Sequence, residues 1–508
     1  MKKGIAALVC FCTAMFFMIS GVEVNAEKDE NRTIPSKYDL RDYGYVTDVR
    51  RQVYGTCYLY AATAAIESGA LVSGCGSYDL SEYQIGYMGT HIIDDKVFNT
   101  NREGFEVAGE HWYNGIPDDC FWYEFMKGYA IETEDKYPAS QITEKLPEEA
   151  VTVDGALYLD AYYYAPVTDT DMVKKQIMEN GAAFIKLFVG NWFYSDLFYN
   201  IETKSAYMPF EDTYKCDHAV VLIGWDDDYS KYNFATIPPG DGAWIIKNSW
   251  GDAYDGAYEY TYISYYDQCF AEGKYIITAS ATNKKIYDRI YQYDGGIGAY
   301  RIAGVENVVI NFKSCENESI TGIRIKPMGS RRADAYNVEF EDTIATISVY
   351  KGTFGESCNN NDEPIYVQKD KIEFPGYQTI EFDDVVKLYK NEDYYVKVSF
   401  DKPVNYGLDG EGGGNIAESN PSETYIKIDT ETEWFDTVKT YSAYPRCNAC
   451  IKVLTKDREI TWYEWLWNQN DFAKIIAGAV IGVIMCFIIW KGIIKTKRKR
   501  SREVAGIR

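Results

Sequence analysis

Residues 52–68 read Gln-Val-Tyr-Gly-Thr-Cys-Tyr-Leu-Tyr-Ala-Ala-Thr-Ala-Ala-Ile-Glu-Ser, which places one cysteine, Cys57, at the start of an alanine-rich run. Glu67 is the only charged residue from Leu59 to Ala70, and apolar residues cover every face, so the run predicts a helix buried on all sides. Because the N–H groups of a helix N-terminus favour an anion, we expect this thiol to ionise below its ordinary pKa of about 8.5. Cys57 is therefore a candidate nucleophile, although a cysteine at a helix start is more often simply packed.

The composition bounds the size and the partners of the protein. Its 508 residues, 46% hydrophobic and 25% charged, are enough for two or three domains with their own cores. The formal charge of -24 excludes a nucleic-acid partner, because such a surface repels a phosphate backbone. The 46 tyrosines are typical of a strand-rich fold, with a sugar-binding or adhesive surface as the alternative explanation.

The two ends of the chain carry apolar segments that predict export and membrane insertion. Residues 1–26 have two early lysines, an apolar run and a small-residue end at Val24-Asn-Ala26, which is the pattern of a secretory signal peptide. Residues 475–494 predict a transmembrane helix, preceded by a tryptophan-rich juxtamembrane linker at 457–474 and followed by a basic cytoplasmic tail at 495–508. The positive-inside rule then predicts a single-pass protein of the cell membrane whose large N-terminal part is extracellular.

Nine of the 12 cysteines lie between the two apolar end segments. In an exported protein, an odd number is what one reactive thiol and up to four disulfides would produce, and partial pairing or none stays open. Cys447 and Cys450 form a Cys-x-x-Cys pair without neighbouring histidines, so we interpret them as structural and expect no metal.

The order of the predicted elements indicates two lobes followed by a sandwich. The chain is mainly helical up to Pro138, and strand patterns dominate from Tyr158 onward, interrupted by one predicted helix at Thr170–Asn180. A helical half before a strand-rich half predicts two lobes with a cleft between them. Short alternating strands within 285–456, separated by turn residues, have the spacing of a β-sandwich.

The chemistry of a thiol nucleophile needs a base, and histidine is the side chain that titrates in the right range without perturbation. Of the three histidines, His218 follows Asp217 and opens an apolar run that predicts a strand, a position from which an imidazole can face a cleft. Asn248 ends another predicted strand and can accept a hydrogen bond from the second ring nitrogen, while Trp250 keeps water away.

Four motifs in this order resemble those of the papain-like (C1 family) cysteine peptidases, over residues 34–279. They are Ile34-Pro35 with Asp39-Leu-Arg41, then Gly55-Thr-Cys57, then Asp217-His218-Ala-Val, and finally Asn248-Ser-Trp-Gly251. The resemblance implies Cys57 as nucleophile, His218 as general acid/base and Asn248 as its orienting partner. It further implies Gln52 as an oxyanion donor, and its substrate-facing positions fall on Gly115, Asp217 and Trp250.

The sequence also departs from that family pattern. Gln52 stands five positions before Cys57 instead of six, so one residue is missing between the oxyanion donor and the nucleophile. Losing one such donor lowers the rate about a hundredfold or more. Ile116 replaces a second glycine after Gly115, which predicts a narrower approach for a substrate backbone.

The following region, 285–456, resembles the lectin-like β-sandwich that accompanies such peptidases in some bacterial surface proteins. Three segments carry this match: Tyr291-Gln-Tyr-Asp294, Gly376-Tyr-Gln-Thr-Ile380 and Asn448-Ala-Cys-Ile-Lys452. The expected fold class is therefore α+β, with a two-lobed papain-like peptidase domain, an all-β sandwich and one C-terminal transmembrane helix.

Together these observations predict a cysteine-type endopeptidase of the cell surface that hydrolyses peptide bonds without a metal or cofactor. Its expected partners are protein or peptide substrates, cell-surface glycans through the sandwich, and the membrane. The alternative is an adhesin or carbohydrate-binding surface protein whose peptidase domain is weak or inactive, which the displaced Gln52 and the appended sandwich would favour. The third hypothesis is that the protein is an exopeptidase.

Overall fold

The computed structural model of the protein describes residues 33–93, 104–107, 112–114, 120–192, 196–210, 216–271, 274–296, 298, 300–328, 340–355, 363–411, 415–431, 433–439, 446–461, 464, 471–504 and 506. The predicted signal peptide at 1–26, Gly115 and Ile116 lie outside the described residues. Ser36–Arg508 forms one compact unit.

The helices follow the sequence patterns closely. The described residues contain α1 (Cys57–Val72), α2 (Glu82–Met88), α3 (Cys120–Met126), α4 (Thr170–Asn180), α5 (Gln268–Ala271) and α6 (Asp471–Val504). Every residue of α1 from Tyr58 to Ala70 is buried, which confirms the prediction of a helix buried on all sides. The predicted bounds of α4 are also confirmed, and the helix stops because Gly181 turns the chain at a φ of 92°.

The strands of the peptidase region belong to one sheet, except for Gly104–Phe105, which pairs with Asn415–Ile416. They are β1 (Lys37–Asp39), β2 (Gly104–Phe105), β3 (Tyr158–Pro166), β4 (Ala183–Leu187), β5 (Tyr199–Asn200), β6 (Ser205–Ala206), β7 (His218–Asp226), β8 (Ala243–Lys247), β9 (Tyr260–Ser264) and β10 (Tyr275–Thr282). Helix α1 packs on β10 so closely that a Cβ on Gly69 would lie 2.1 Å from the carbonyl oxygen of Ala279, so glycine is required there.

The remaining strands build the predicted sandwich. They are β11 (Arg289–Gln292), β12 (Tyr300–Lys313), β13 (Glu318–Ile325), β14 (Pro327–Met328), β15 (Thr343–Lys351), β16 (Tyr366–Ile372), β17 (Gly376–Leu388), β18 (Asp393–Gly410), β19 (Asn415–Ile416), β20 (Thr424–Ile428), β21 (Phe435–Asp436), β22 (Cys447–Ala449) and β23 (Ile451–Asp457). Strands β12, β14 to β16, β18 and β20 to β22 form an eight-stranded sheet, and β11, β23, β13 and β17 form the facing layer. The inner faces of the two layers meet in one hydrophobic core.

The two regions share one continuous sheet, which the sequence patterns did not predict. Strand β17 of the sandwich pairs with β3 of the peptidase region, with Tyr377 opposite Tyr162. A Cβ on the neighbouring Gly376 would lie 2.1 Å from the carbonyl oxygen of Tyr162, so the strands meet at a point where only glycine fits. The sheet therefore runs through both regions as 13 strands.

The last helix coincides with the predicted membrane segment. Helix α6 begins at Asp471, and its stretch Ala479–Arg498 is long and apolar enough to cross a membrane. The predicted span at 475–494 lies within this helix.

The free thiols limit the number of disulfides that the protein can form. Cys57, Cys75, Cys315, Cys447 and Cys450 all carry free thiols. Because four disulfides would need eight of the nine cysteines, these free thiols rule out the upper limit of four bridges, and partial pairing or none stays open.

Candidate active site

Cys57 lies where the first turn of α1 meets the start of β7. It is the first residue of the helix, it is half-buried, and the backbone N–H groups of Ala219 and Tyr58 stabilise its thiolate. Ala219 directly follows His218, so the contact brings the sulfur to the beginning of the histidine strand. The sequence motifs that carry these two residues are thus adjacent in the fold.

The acidity of this thiol differs from the expectation. The N–H groups act in the predicted direction, but burial outweighs them and raises the pKa of Cys57 above its ordinary value, and the charge of Asp217 adds to the rise. The prediction of a lowered pKa is therefore wrong in its net direction, because the sequence showed the helix N-terminus and not the depth of burial.

His218 is held by Asn248 in the manner predicted. Its Nε2 lies 2.8 Å from Oδ1 of Asn248, and that oxygen also accepts the N–H of Ser249 at 2.8 Å. Because the atom facing the ring is thus an oxygen, Nε2 carries the proton and Nδ1 is left as the basic nitrogen. Burial lowers the pKa of His218, whereas the bond to Asn248 and the charge of Asp217 raise it.

Trp250 covers the histidine, as the sequence predicts. The centres of the two rings lie 4.8 Å apart at an interplanar angle of 32°. Tyr254 and Tyr258 pack edge-on against the indole at 6.0 and 5.7 Å. The aromatic group keeps water from the His218–Asn248 bond, which strengthens it.

Gln52 is bound to the asparagine segment despite the missing residue. Its backbone N–H donates to the carbonyl of Ser249 at 2.8 Å, and its side-chain Oε1 accepts the hydroxyl of Ser249 at 2.8 Å. Its Nε2 donates to the carbonyl of Tyr54 at 3.1 Å, which occupies one of the two amide protons. Tyr54 has a left-handed φ of 51°, so the shortened loop is closed by one residue in an unusual conformation.

Sequence reasoning missed Ser249, which fixes the orientation of the Gln52 amide. The available signal was its position between Asn248 and Trp250, inside a motif already assigned to the site. The left-handed Tyr54 had no signal, because tyrosine does not favour that conformation.

Asp217 is exposed, and its Oδ1 accepts the backbone N–H of Val189 at 2.8 Å. It therefore holds a neighbouring loop against the start of β7, next to His218. Gly115, the third residue that the family resemblance implies to face the substrate, lies outside the described residues. Within the described part of the chain no group of three acidic, cysteine or histidine side chains has the arrangement of a metal site, and the lack of a cofactor stays an expectation.

A cluster of charged side chains lies next to the two segments that carry Gln52 and Asn248. Arg50 lies 2.8 Å from Glu67 and 3.2 Å from Glu82, and burial raises the pKa of Glu82. Lys247 donates to the carbonyl of Thr47 at 2.7 Å, and burial lowers its pKa to about 8. Arg50 and Lys247 stand close before Gln52 and Asn248 in the chain, so the cluster anchors both segments that frame the site.

Comparison with known proteins agrees with this architecture. The papain family cysteine protease domain matches residues 34–278, and the lectin-like domain matches residues 290–455. A cathepsin L-like protein of Caenorhabditis elegans is 27% identical over 232 residues, which are 44% of this chain and 57% of that protein. Cathepsin S of Mus musculus is 26% identical over 222 residues, 44% of this chain and 56% of that protein. The chain thus spans a little more than half of the length of these relatives.

Solved structures show the same fold over both regions. The cysteine protease and lectin-like domains of Cwp84, a surface layer associated protein of Clostridium difficile, superpose with a TM-score of 0.66 at 19% identity, covering 84% of this chain and 90% of that one. Cwp84 after propeptide cleavage gives a TM-score of 0.66 at 20% identity, with 84% and 100% covered. The chain therefore combines a papain-family cysteine protease domain with a lectin-like domain that follows it.

Proposed function

We propose that this protein is a cysteine endopeptidase that hydrolyses peptide bonds with Cys57, His218 and Asn248. The observation that carries the proposal is the His218–Asn248 bond of 2.8 Å beneath Trp250. His218 is the first residue of β7, and the N–H group of the next residue, Ala219, contacts the sulfur of Cys57. A nucleophile, a base and the group that orients the base, drawn from three distant segments, are the parts that covalent catalysis needs.

The proposed mechanism uses Nδ1 of His218, the ring nitrogen that does not face Asn248, as the base. Nδ1 takes the thiol proton as the sulfur of Cys57 attacks the peptide carbonyl carbon and forms a C–S bond. The same nitrogen returns the proton to the amine nitrogen as the C–N bond breaks, which leaves a thioester. A water molecule then attacks the thioester carbon while His218 takes its proton. The C–S bond breaks, the carboxylic acid product leaves, and His218 returns the proton to the sulfur of Cys57. Because burial favours the neutral thiol and the neutral imidazole in the resting state, this proton transfer accompanies the attack.

The full chain in detergent solution is expected to cut peptides at internal bonds, and a thiol-directed epoxide should stop the cleavage. The products of a mixed peptide panel, identified by mass spectrometry, check this. Internal fragments support an endopeptidase, and single residues released from one end would show an exopeptidase instead. No turnover of any peptide would favour the alternative of an adhesive protein with an inactive peptidase domain.

Replacing Gln52 with alanine is expected to lower kcat about a hundredfold to a thousandfold, because the second Nε2 proton of this amide is the donor we assign to the oxyanion. The matched control is Ser249→Ala, which removes the hydroxyl at 2.8 Å from Oε1 but leaves the donor in place. That control should lose clearly less activity. Equal activity of Gln52→Ala and the wild type would show that the shortened loop keeps Gln52 out of the oxyanion site.

We also propose that α6 anchors the protein in the cell membrane with residues 36–461 outside. The apolar stretch Ala479–Arg498 and the basic residues at its C-terminal end support this orientation. An epitope tag after Arg508 should be protected from protease added to intact cells, while a tag in the exposed turn at residues 143–145 should be accessible. The reverse pattern, or release of the protein without detergent, would contradict the proposal.

A further inference from the structure

The two outer faces of the sandwich are used differently. Some of the residues of β13 and β17 that point out of the core contact the peptidase region. Arg324 donates to the carbonyl of Met126 at 2.6 Å, and the ring of Tyr377 lies 5.4 Å from that of Tyr123. This part of the outer face is therefore occupied by helix α3.

The outer face of the eight-stranded sheet carries a row of polar side chains. The strand register places Thr346 of β15 opposite Ser399 of β18, Ser399 opposite Asn307 of β12, and Asn307 opposite Lys427 of β20. Adjacent strands lie about 4.8 Å apart, so these four side chains form a continuous ladder of hydrogen-bonding groups. All four are half-buried, which leaves part of each side chain accessible.

An aromatic group borders this ladder. Two rows further along the same face, Tyr350 and Tyr395 stack with ring centres 4.6 Å apart at 5°. Trp434 packs on Phe354 at 4.8 Å, and Trp434 and Tyr350 are the half-buried members at the margin of the group. In a purely structural second core, neighbouring side chains would cover the apolar surface of all the rings. The partly open rings instead present apolar surface beside the polar ladder.

Lys397 stands between the ladder and the aromatic group. The register places it opposite Ser348 and Val309, and its Nζ lies 5.6 Å from the ring centre of Trp434. No carboxylate lies within ion-pair distance of its ammonium among the residues that the structure describes. Burial and the neighbouring Lys427 lower the pKa of Lys397. Lys427 itself has only Glu306, at 4.0 Å.

The ammonium groups of Lys397 and Lys427 favour the binding of an anion beside them. A half-buried ammonium without a counter-ion is unfavourable, and a bound carboxylate removes the penalty. The formal charge of the chain is -24, so a local pair of lysines is a departure from its overall charge. Aromatic surface beside hydroxyl and amide groups suits a ring that has an apolar face and many hydroxyls.

We propose that this outer face binds a polysaccharide that contains uronic acids. Trp434 and Tyr350 contact the sugar rings, the row from Thr346 to Asn307 binds hydroxyl groups, and Lys397 with Lys427 binds the carboxylate. Two ammonium groups beside a row of neutral polar side chains match a ligand with one charge per sugar and several hydroxyls, although Lys427 also lies 4.0 Å from Glu306. A polyphosphate chain, with its dense charge, would need more cations. The binding site is independent of the proposed peptidase activity.

The test uses the full chain in detergent with Cys57→Ala, so that no self-cleavage can interfere. An oligogalacturonate of defined length is the probe, a malto-oligosaccharide of equal length is the neutral control, and calorimetry measures both affinities. We expect binding of the uronate with at least about tenfold weaker binding of the neutral sugar. Lys397→Ala and Trp434→Ala should each weaken uronate binding about tenfold.

The matched control is Lys402→Ala, which removes an exposed lysine of the same strand that pairs with Glu341 at 3.4 Å. It should bind the uronate like the parent chain, and the melting temperatures of all variants should agree within error. Absence of uronate binding would overturn the proposal, as would equal affinity for the neutral sugar. Tighter binding of polyphosphate than of uronate would assign the face to a phosphate polymer and also overturn it.

Discussion

Replacing Cys57 with alanine is expected to abolish peptide hydrolysis, with kcat reduced by at least about four orders of magnitude. In the proposed mechanism the sulfur forms the covalent bond with the substrate, and alanine has no group that His218 could deprotonate. The same variant should no longer be labelled by a thiol-directed epoxide at position 57. Hydrolysis of the best peptide from the panel, followed with and without the inhibitor, measures the first effect, and mass spectrometry of the labelled protein measures the second.

The matched control is Cys75→Ala, because Cys75 is a free, half-buried thiol that lies outside the site. Its Sγ donates to the carbonyl of Ala281 at 3.5 Å, at the far end of α1. This variant should keep the full rate and the label on Cys57. Turnover that persists in Cys57→Ala would refute the assignment of the nucleophile, and loss of turnover in both variants would point to a general effect on folding.

The site could be predicted from the sequence because its parts have strong local signals. Cys57 opens an unusually apolar helix, His218 opens a strand, and Asn248 ends another. Each of these signals needs only a few neighbouring residues, so the sequence is sufficient to locate the elements. The order of the motifs then implied that the three elements meet, and the contacts of His218 with Asn248 and of Cys57 with Ala219 agree with it.

Other features depend on residues far apart in the chain and gave no local signal. The pKa of Cys57 depends on how much protein surrounds the sulfur, so the helix N-terminus alone predicted the wrong direction. The pairing of β17 with β3 brings together strands more than two hundred residues apart, and no sequence pattern in either strand indicates which strand it pairs with. The left-handed Tyr54 is a consequence of loop length, which pattern reasoning detected only as a missing residue.

The continuous sheet also changes the expected relation between the two regions, and its buried polar network shows how. Asp294 is fully buried and its Oδ1 lies 2.7 Å from Nζ of Lys452. Its Oδ2 accepts the hydroxyls of Tyr123 and Tyr377, each at 2.6 Å. Tyr123 belongs to the peptidase region, whereas the other three residues belong to the sandwich. One carboxylate therefore joins both regions by hydrogen bonds inside a buried interface.

Replacing Asp294 with alanine is expected to destabilise the whole protein by about 3–5 kcal/mol, since it leaves the ammonium of Lys452 buried without a counter-ion. Burial already lowers the pKa of Lys452, and Asp294 is the main group that opposes this effect. Thermal unfolding of the full chain in detergent measures the loss. Because the sheet is continuous, we expect one transition that moves to lower temperature as a unit, with peptidase activity lost at the same temperature.

The control for this prediction is Asp154→Ala, which breaks the 2.8 Å ion pair with Lys285 near the junction of the two regions. The side chain of Asp154 is 81% exposed, so solvent replaces the lost interaction and the change should stay below about 1 kcal/mol. A loss for Asp294→Ala no larger than that of the control would mean that the interface accommodates an unpaired lysine. Two separate transitions would mean that the regions unfold independently, and the shared sheet would then contribute little to the stability of the peptidase.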